Sequence, residues 1–138
     1  MGDPLSVVAS IAAILQLART VVNYLNDARM ISKDCTSILV EIGSTNGILS
    51  ILKDVVDKAE STETWLATSR LLDAPDGPLA QFKLALERLE KHLMPLVASK
   101  KANKVLVWPF KKEEMIGILN TIERQKTLFV LAIQNDHM

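Results

Sequence analysis

Residues 4–18 read PLSVVASIAAILQLA, fifteen consecutive positions without a charged side chain. Pro4 suits the first turn of a helix, where a backbone N–H has no partner, and Asp3 just before it complements the positive end of a helix dipole. Val21, Val22, Tyr24 and Leu25 continue the apolar pattern, while Gln16, Arg19, Thr20 and Asn23 give the second half a polar side. The spacing predicts a helix over 4–25, ended by a break or bend at Asn26 and Asp27. A helix that is apolar on nearly every side either sits in the middle of a bundle or meets a membrane.

Downstream, the same three-and-four spacing recurs. Cys35, Ile38, Ile42, Thr45, Leu49, Leu52, Val56 and Ala59 form one face of a helix predicted over 31–59, and Leu39, Ile48, Ile51 and Val55 widen it. Gly43 and Gly47 lie inside this helix, each weakening it by about 1 kcal/mol relative to Ala, and their expected use is close approach of a neighbouring helix. Ser61 is placed to cap a short third helix carrying Trp65, Leu66 and Leu72. The stretch Asp73-Ala-Pro-Asp-Gly-Pro78 is a breaker. Pro78 opens a fourth helix with Leu79, Phe82, Leu86, Leu89, Leu93 and Leu96 on one face, and Lys83, Glu87 and Lys91 spaced as i,i+4 pairs on the other. Pro95 is expected to loosen its last turn. A final helix runs from about Lys111 to Gln134, with Met115, Ile118, Ile122, Phe129 and Ala132 inward and Leu119, Leu128, Leu131 and Ile133 broadening that face. The expected fold class is all-α: one domain over residues 1–138, a bundle of four long helices plus a short one.

Composition agrees. Hydrophobic residues make up 49% of the 138, and charged ones 23%, a balance that folds rather than staying disordered. Sixteen basic residues offset sixteen acidic ones, so there is no global electrostatic case for a nucleic-acid partner. Cys35 is the single cysteine, which excludes an intrachain disulfide and fits a reducing, intracellular compartment. With His92 and His137 far apart, no zinc-ligand spacing can be built.

Catalytic patterns are missing from the sequence. No Gly-rich phosphate loop and no G-x-S-x-G elbow occur. Cys35 falls on the apolar seam, where an inert buried thiol is expected. His92 reads as a partly exposed residue of an amphipathic helix, and Glu113 with Glu114 as acidic residues complementing a helix N-terminus. The expectation is a non-enzyme with no cofactor and no metal.

The first helix keeps more than one reading. It can be a buried core helix. A secretory signal fits poorly, since the segment before the apolar run is acidic and no small-residue cleavage site follows. As a membrane segment, residues 4–25 span about 33 Å at 1.5 Å per residue, against roughly 30 Å of hydrocarbon. The uncharged part alone reaches about 22 Å, and Arg19 then sits toward one end, where its long side chain can snorkel. Ser6, Ser10, Gln16, Thr20 and Asn23 make it too polar for a permanent anchor. Such a helix is conditional: stable in a bundle, and able to enter a bilayer as an oligomer. The candidate membrane-inserting residues are Leu5, Val7, Val8, Ile11, Ala12, Ile14, Leu15, Ala18, Val21, Val22 and Leu25. The start Met1-Gly2-Asp-Pro-Leu-Ser6 also matches the loose pattern for N-myristoylation at Gly2.

Residues 98–112, ASKKANKVLVWPFKK, hold five lysines and no acid. Lys100, Lys101, Lys104, Trp108, Lys111 and Lys112 are candidate contacts to anionic headgroups; the alternative is a solvated connection whose Trp-Pro-Phe plugs one end of the bundle.

Four stretches in register, DPLSVVASIAAILQLARTVVNYLNDAR, DGPLAQFKLALERLEKHL, VLVWPFKKEE and IERQKTLFVLAIQNDH, make the chain resemble the HeLo-like N-terminal domain of fungal proteins that precedes NACHT, ankyrin or amyloid-motif regions. The resemblance implies a cell-death execution domain, similar in kind to the HeLo domain of fungal incompatibility proteins and to the four-helix bundle of the animal necroptosis pseudokinase. It further implies a cytoplasmic resting state and activation by an upstream sensor or amyloid-template protein. Self-association follows, and the N-terminal helix, residues 4–25 here, then targets and permeabilises the plasma membrane. Trp108-Pro109-Phe110 would be a structural signature. The alternative is a non-lytic oligomerisation or adaptor module of a sensor of that kind.

Overall fold

Five helices form where the apolar repeats place them: α1 (Pro4–Ala28), α2 (Asp34–Lys58), α3 (Glu63–Leu72), α4 (Pro78–Lys101) and α5 (Lys112–Asn135). They are seen in a computed structural model that describes residues 4–58, 63–102 and 107–135, among which there is no strand. The fold is an all-α bundle. α1 packs along α2 and α4, and α5 packs along the same two helices, so the four long helices occupy the corners in the order α1, α2, α5, α4. Short connections make α1 and α2 antiparallel, and likewise α4 and α5. α1 and α4 run in the same direction: Asp73, just ahead of α4, meets Ser6 and Ser10 near the start of α1, and Lys100 near the end of α4 meets Asp27 near the end of α1. α3 touches α1 and α4.

The core is assembled from one stripe per helix. α2 contributes Cys35, Ile38, Ile42, Thr45, Leu49, Leu52 and Val56, all buried on the predicted seam. α4 contributes Leu79, Phe82, Leu86, Leu89, Leu93 and Leu96, and α5 contributes Met115, Ile118, Ile122, Phe129 and Ala132. Phe82 and Phe129 meet edge to face with ring centroids 6.1 Å apart, a geometry that suits the aromatic quadrupoles. Each Leu or Ile taken out of water adds roughly 1.5–3 kcal/mol, so these stripes dominate the stability. Thr45 is buried without penalty because its hydroxyl donates to the Glu41 carbonyl, 2.7 Å away.

Several local expectations are corrected. Asn26 and Asp27 do not break α1, which runs on to Ala28; burial of Leu25 and Ala28 outweighs the weak helix propensity of the two polar residues. α2 starts at Asp34, three residues later than expected. Pro95 is not in the last turn of α4, which continues to Lys101 and takes up the first residues of the lysine-rich stretch 98–112. Pro95 lies on the exposed side, while Leu96 and Val97 beyond it are buried. Gly43 and Gly47 are not at a helix contact: a Cβ added at either would have nothing within 4 Å. Ile51, Leu128 and Leu131 are exposed rather than part of the broadened inner faces. The Lys83–Glu87 and Glu87–Lys91 spacings do not close into ion pairs; among the described residues the pairs are Arg88–Glu114 and Lys126–Glu41, both between helices. The Ser61 cap, Ala59 and His137 lie outside the described residues.

Candidate functional site

α1 is a corner helix, not the centre of the bundle. Its buried stripe is Val7, Ile11, Ile14, Ala18, Val21 and Leu25, closed by Ala28. Of the other membrane-inserting candidates, Val8, Leu15 and Val22 are half-buried against the core and Ala12 is exposed. The side chain of Leu5 lies outside the described residues, as does Gly2. Ala9 and Ala13 join Ala12 on the outward side, so the first half of α1 turns a smooth, uncharged surface to solvent. The structure therefore places the large apolar residues of α1 inward with Ala18 and Ala28, and Ala9, Ala12 and Ala13 outward.

Polar contacts fasten α1 at both ends to the α4 side of the bundle. Ser6 and Ser10, one turn apart, each donate from Oγ to the Asp73 carboxylate at 3.3 Å. Asp73 is held in place by its own N–H on the Ser69 carbonyl, 3.0 Å away, and by the turn that follows it, where the Gly77 N–H donates to the Ala74 carbonyl at 2.9 Å. That turn admits only glycine at 77, since a Cβ there would lie 2.5 Å from the Leu71 carbonyl oxygen. Pro78 follows at the first position of α4, pre-set for the helix. At the other end, the Lys100 ammonium donates to the Asp27 carbonyl at 2.9 Å, a cation on the negative end of a helix. Between these fasteners a cavity of about 440 Å³ opens beside α1, lined by Ser10, Ile14, Leu17, Asp73, Leu79 and Lys83 among others.

Of the headgroup candidates, Lys100 is engaged with α1, and Lys111 and Lys112 are exposed at the start of α5. The side chain of Lys101 and the whole of Lys104 lie outside the described residues. Trp108 packs against the core with its Nε1 buried and without an acceptor. Its ring stands 5.3 Å from that of buried Phe110, which in turn stacks edge-on to His92 at 5.2 Å. In this state the Trp-Pro-Phe segment faces the bundle and seals its flank, and His92 is half-buried. The tertiary structure adds residues to this end. The α1–α2 turn lies at the same end as the end of α4 and the start of α5, so Arg29 and Lys33 join Lys100, Lys111 and Lys112 there. Met30, 91% exposed, and Val107, 73% exposed, give the end two bare apolar side chains. Residues 29–33 and 107–112 are far apart in sequence, and only the helix directions bring them together.

A second apolar helix also emerges. Among the described residues two helices are long and apolar enough to cross a membrane, α1 and α2; 28% of the most apolar window is buried in the first and 33% in the second. The signal in the sequence was residues 42–52, IGSTNGILSIL, an uncharged run interrupted by glycines.

Two titrating groups are shifted. Burial, with Asp34 adding to it, pushes the Cys35 thiol up to about 11, so it is protonated and unreactive at neutral pH. The Glu114 carboxyl is held below the usual carboxylate range, first by the Lys111 backbone N–H that donates to it at 3.3 Å, then by Arg88 at 3.2 Å. This is the half of a capping box that a Glu at the third helical position supplies on α5. Among the described residues, no three His, Cys, Asp or Glu side chains converge as a metal set.

Comparison with protein-family models, curated proteins and solved structures finds no match to the chain.

Proposed function

We propose that this chain is a membrane-targeting cell-death execution domain of the HeLo-like kind, activated by oligomerisation. In this reading an upstream sensor or amyloid-template protein clusters the domain, α1 leaves its place in the bundle, and the clustered helices enter and permeabilise the plasma membrane. The observation that carries the reading is the position of α1: a 25-residue apolar helix at a corner of the bundle, with an uncharged outer surface over its first half and polar contacts at its two ends. Twenty-five residues make about 37 Å of helix, enough for a hydrocarbon core of roughly 30 Å. The lysines at the α4–α5 connection and the α1–α2 turn supply attraction to anionic lipid.

A second reading, a non-lytic oligomerisation or adaptor module, is favoured by one observation: the large apolar residues of α1 whose side chains are described lie in the common core or pack against it. Under it α1 never leaves.

Dye release from phosphatidylserine-containing liposomes separates the two. Clustering the wild-type chain through an inducible oligomerising tag releases dye if α1 acts on the bilayer. Ala12→Asp leaves the fold intact and cuts release at least tenfold. A folded, clustered protein that releases no dye removes the lytic reading.

A further inference from the structure

The polar contacts between helices are not spread evenly over the four long interfaces. Ser6 and Ser10 to Asp73, and Lys100 to the Asp27 carbonyl, cross between α1 and the α4 side. Lys126 to Glu41, at 3.0 Å, crosses between α5 and α2. Arg88 to Glu114 joins α4 to α5. Among the described residues, no side-chain hydrogen bond or ion pair is found between α1 and α2, and that interface is the most extensive in the bundle. The molecule is thus two antiparallel hairpins, α1–α2 and α4–α5, with three polar fastenings along the seam between them.

The seam also divides the helices by composition. The two helices with the length and apolarity of membrane spans, α1 and α2, are both on one side of it. Apolarity of this degree is usual in a helix that is mostly buried, but two thirds or more of each window is not buried here. α2 turns Val40, Gly43, Gly47 and Ile51 outward; Val40 is 63% exposed and Ile51 53%. Ser37, Ser44 and Ser50 share this side, which stays uncharged from Thr36 to Ile51, and hydrocarbon accepts such a face. Departure of α1 alone breaks its interfaces with α2 and with α4. Departure of the hairpin breaks α1–α4 and α2–α5 and keeps the most extensive contact intact, so it disrupts no more of the core.

We propose that the membrane-entering unit is the α1–α2 hairpin, with α2 (Asp34–Lys58) a second inserting segment, and that activation opens the bundle along the seam between the hairpins. This rests on the membrane-active reading above and assigns α2 and the seam a part in it. Glu41 then serves as a fastening in the closed state: its carboxylate is tied to Lys126 on the hairpin that stays behind.

The test uses the 138-residue chain with Cys35→Ala and an inducible oligomerising tag. In one variant Glu41→Cys and Lys126→Cys are joined by a short reducible bis-thiosulfonate, locking α2 to α5; in a control Arg88→Cys and Glu114→Cys are joined in the same way, within the staying hairpin. Polarity-sensitive dyes are placed singly at Ala12→Cys on α1 and Gly47→Cys on α2, where the added side chain meets open space. Clustering on phosphatidylcholine–phosphatidylserine liposomes is expected to bring both dyes within reach of a lipid-borne quencher. The α2–α5 lock is expected to cut leakage at least tenfold, with recovery on reduction, while the α4–α5 lock leaves it unchanged. If the Ala12 dye is quenched and the Gly47 dye is not, or if the α2–α5 lock leaves leakage intact, α1 acts alone and the hairpin proposal is overturned while the membrane reading stands. If neither dye enters and nothing leaks, both fall.

Discussion

α1 and α4 are parallel neighbours of 25 and 24 residues, and each buries a stripe with the same three-four repeat. Their outer faces differ. α4 shows water Lys83, Glu87, Arg88 and Lys91; α1 shows Ala9, Ala12, Ala13 and Gln16 before its first charge at Arg19. The inner stripe is what a bundle requires, and it is the same on both. What distinguishes the helices is the side the fold does not use. A buried stripe therefore says little about function in a bundle of this kind, and an unneeded absence of charge on the wet side says more.

The largest effects should fall where the two helices are alike. Ile11→Ala on α1 and Leu89→Ala on α4 remove fully buried side chains, and each should cost about 2–5 kcal/mol in urea unfolding. A much smaller loss for Ile11 would mean that α1 is held less firmly than its burial implies. Next comes the turn that presents Asp73 to α1. Gly77→Ala drives a methyl into the Leu71 carbonyl and should cost about 1–3 kcal/mol, with faster amide exchange in the first turns of α1. Asp73→Ala removes the shared acceptor of Ser6 and Ser10. It should cost about 1 kcal/mol, and exchange should again rise in α1 but not in α4.

Smaller still are substitutions on the outer faces. Ala12→Asp and Glu87→Ala should each move stability by no more than about 0.5 kcal/mol. Only the first should lower liposome leakage, which makes the pair the sharpest statement of the difference between the helices. The smallest effect belongs to Glu114. Its carboxyl is lowered in the folded state, so its contribution is present at neutral pH and is lost as the pH falls through its depressed pKa. Glu114→Gln should lower stability slightly above pH about 6, well clear of the ordinary Glu value, flatten the acid side of the profile, and leave stability unchanged at the acid end, where the carboxyl is protonated.

Much of this was legible in the order of residues. The α2 seam from Cys35 to Val56, the α4 set from Leu79 to Leu96 and the breaker before Pro78 all follow from spacing and turn chemistry, which are local. Pro95 and Asn26-Asp27 misled for one reason: each has a local preference against helix, and each is overruled by apolar neighbours that gain more from burial than the propensity costs. Gly43 and Gly47 misled in the opposite way. Their spacing suggests a close contact, but whether a helix face meets a neighbour is not a property of that helix alone.

By itself, then, the sequence determined which segments are helical and which stripe of each is apolar enough to be covered, because both depend on residues within a turn or two of one another. It also determined that α1 carries little charge. The tertiary structure decided which stripes meet, since that depends on helix direction and on pairings across dozens of residues. It put α1 at a corner rather than the centre, gathered Arg29 and Lys33 with the lysines of the α4–α5 connection, and joined Ser6 and Ser10 to Asp73 across more than sixty positions of chain. It also left the glycine face of α2 open to solvent, because only two of the corner helices can cover any one neighbour.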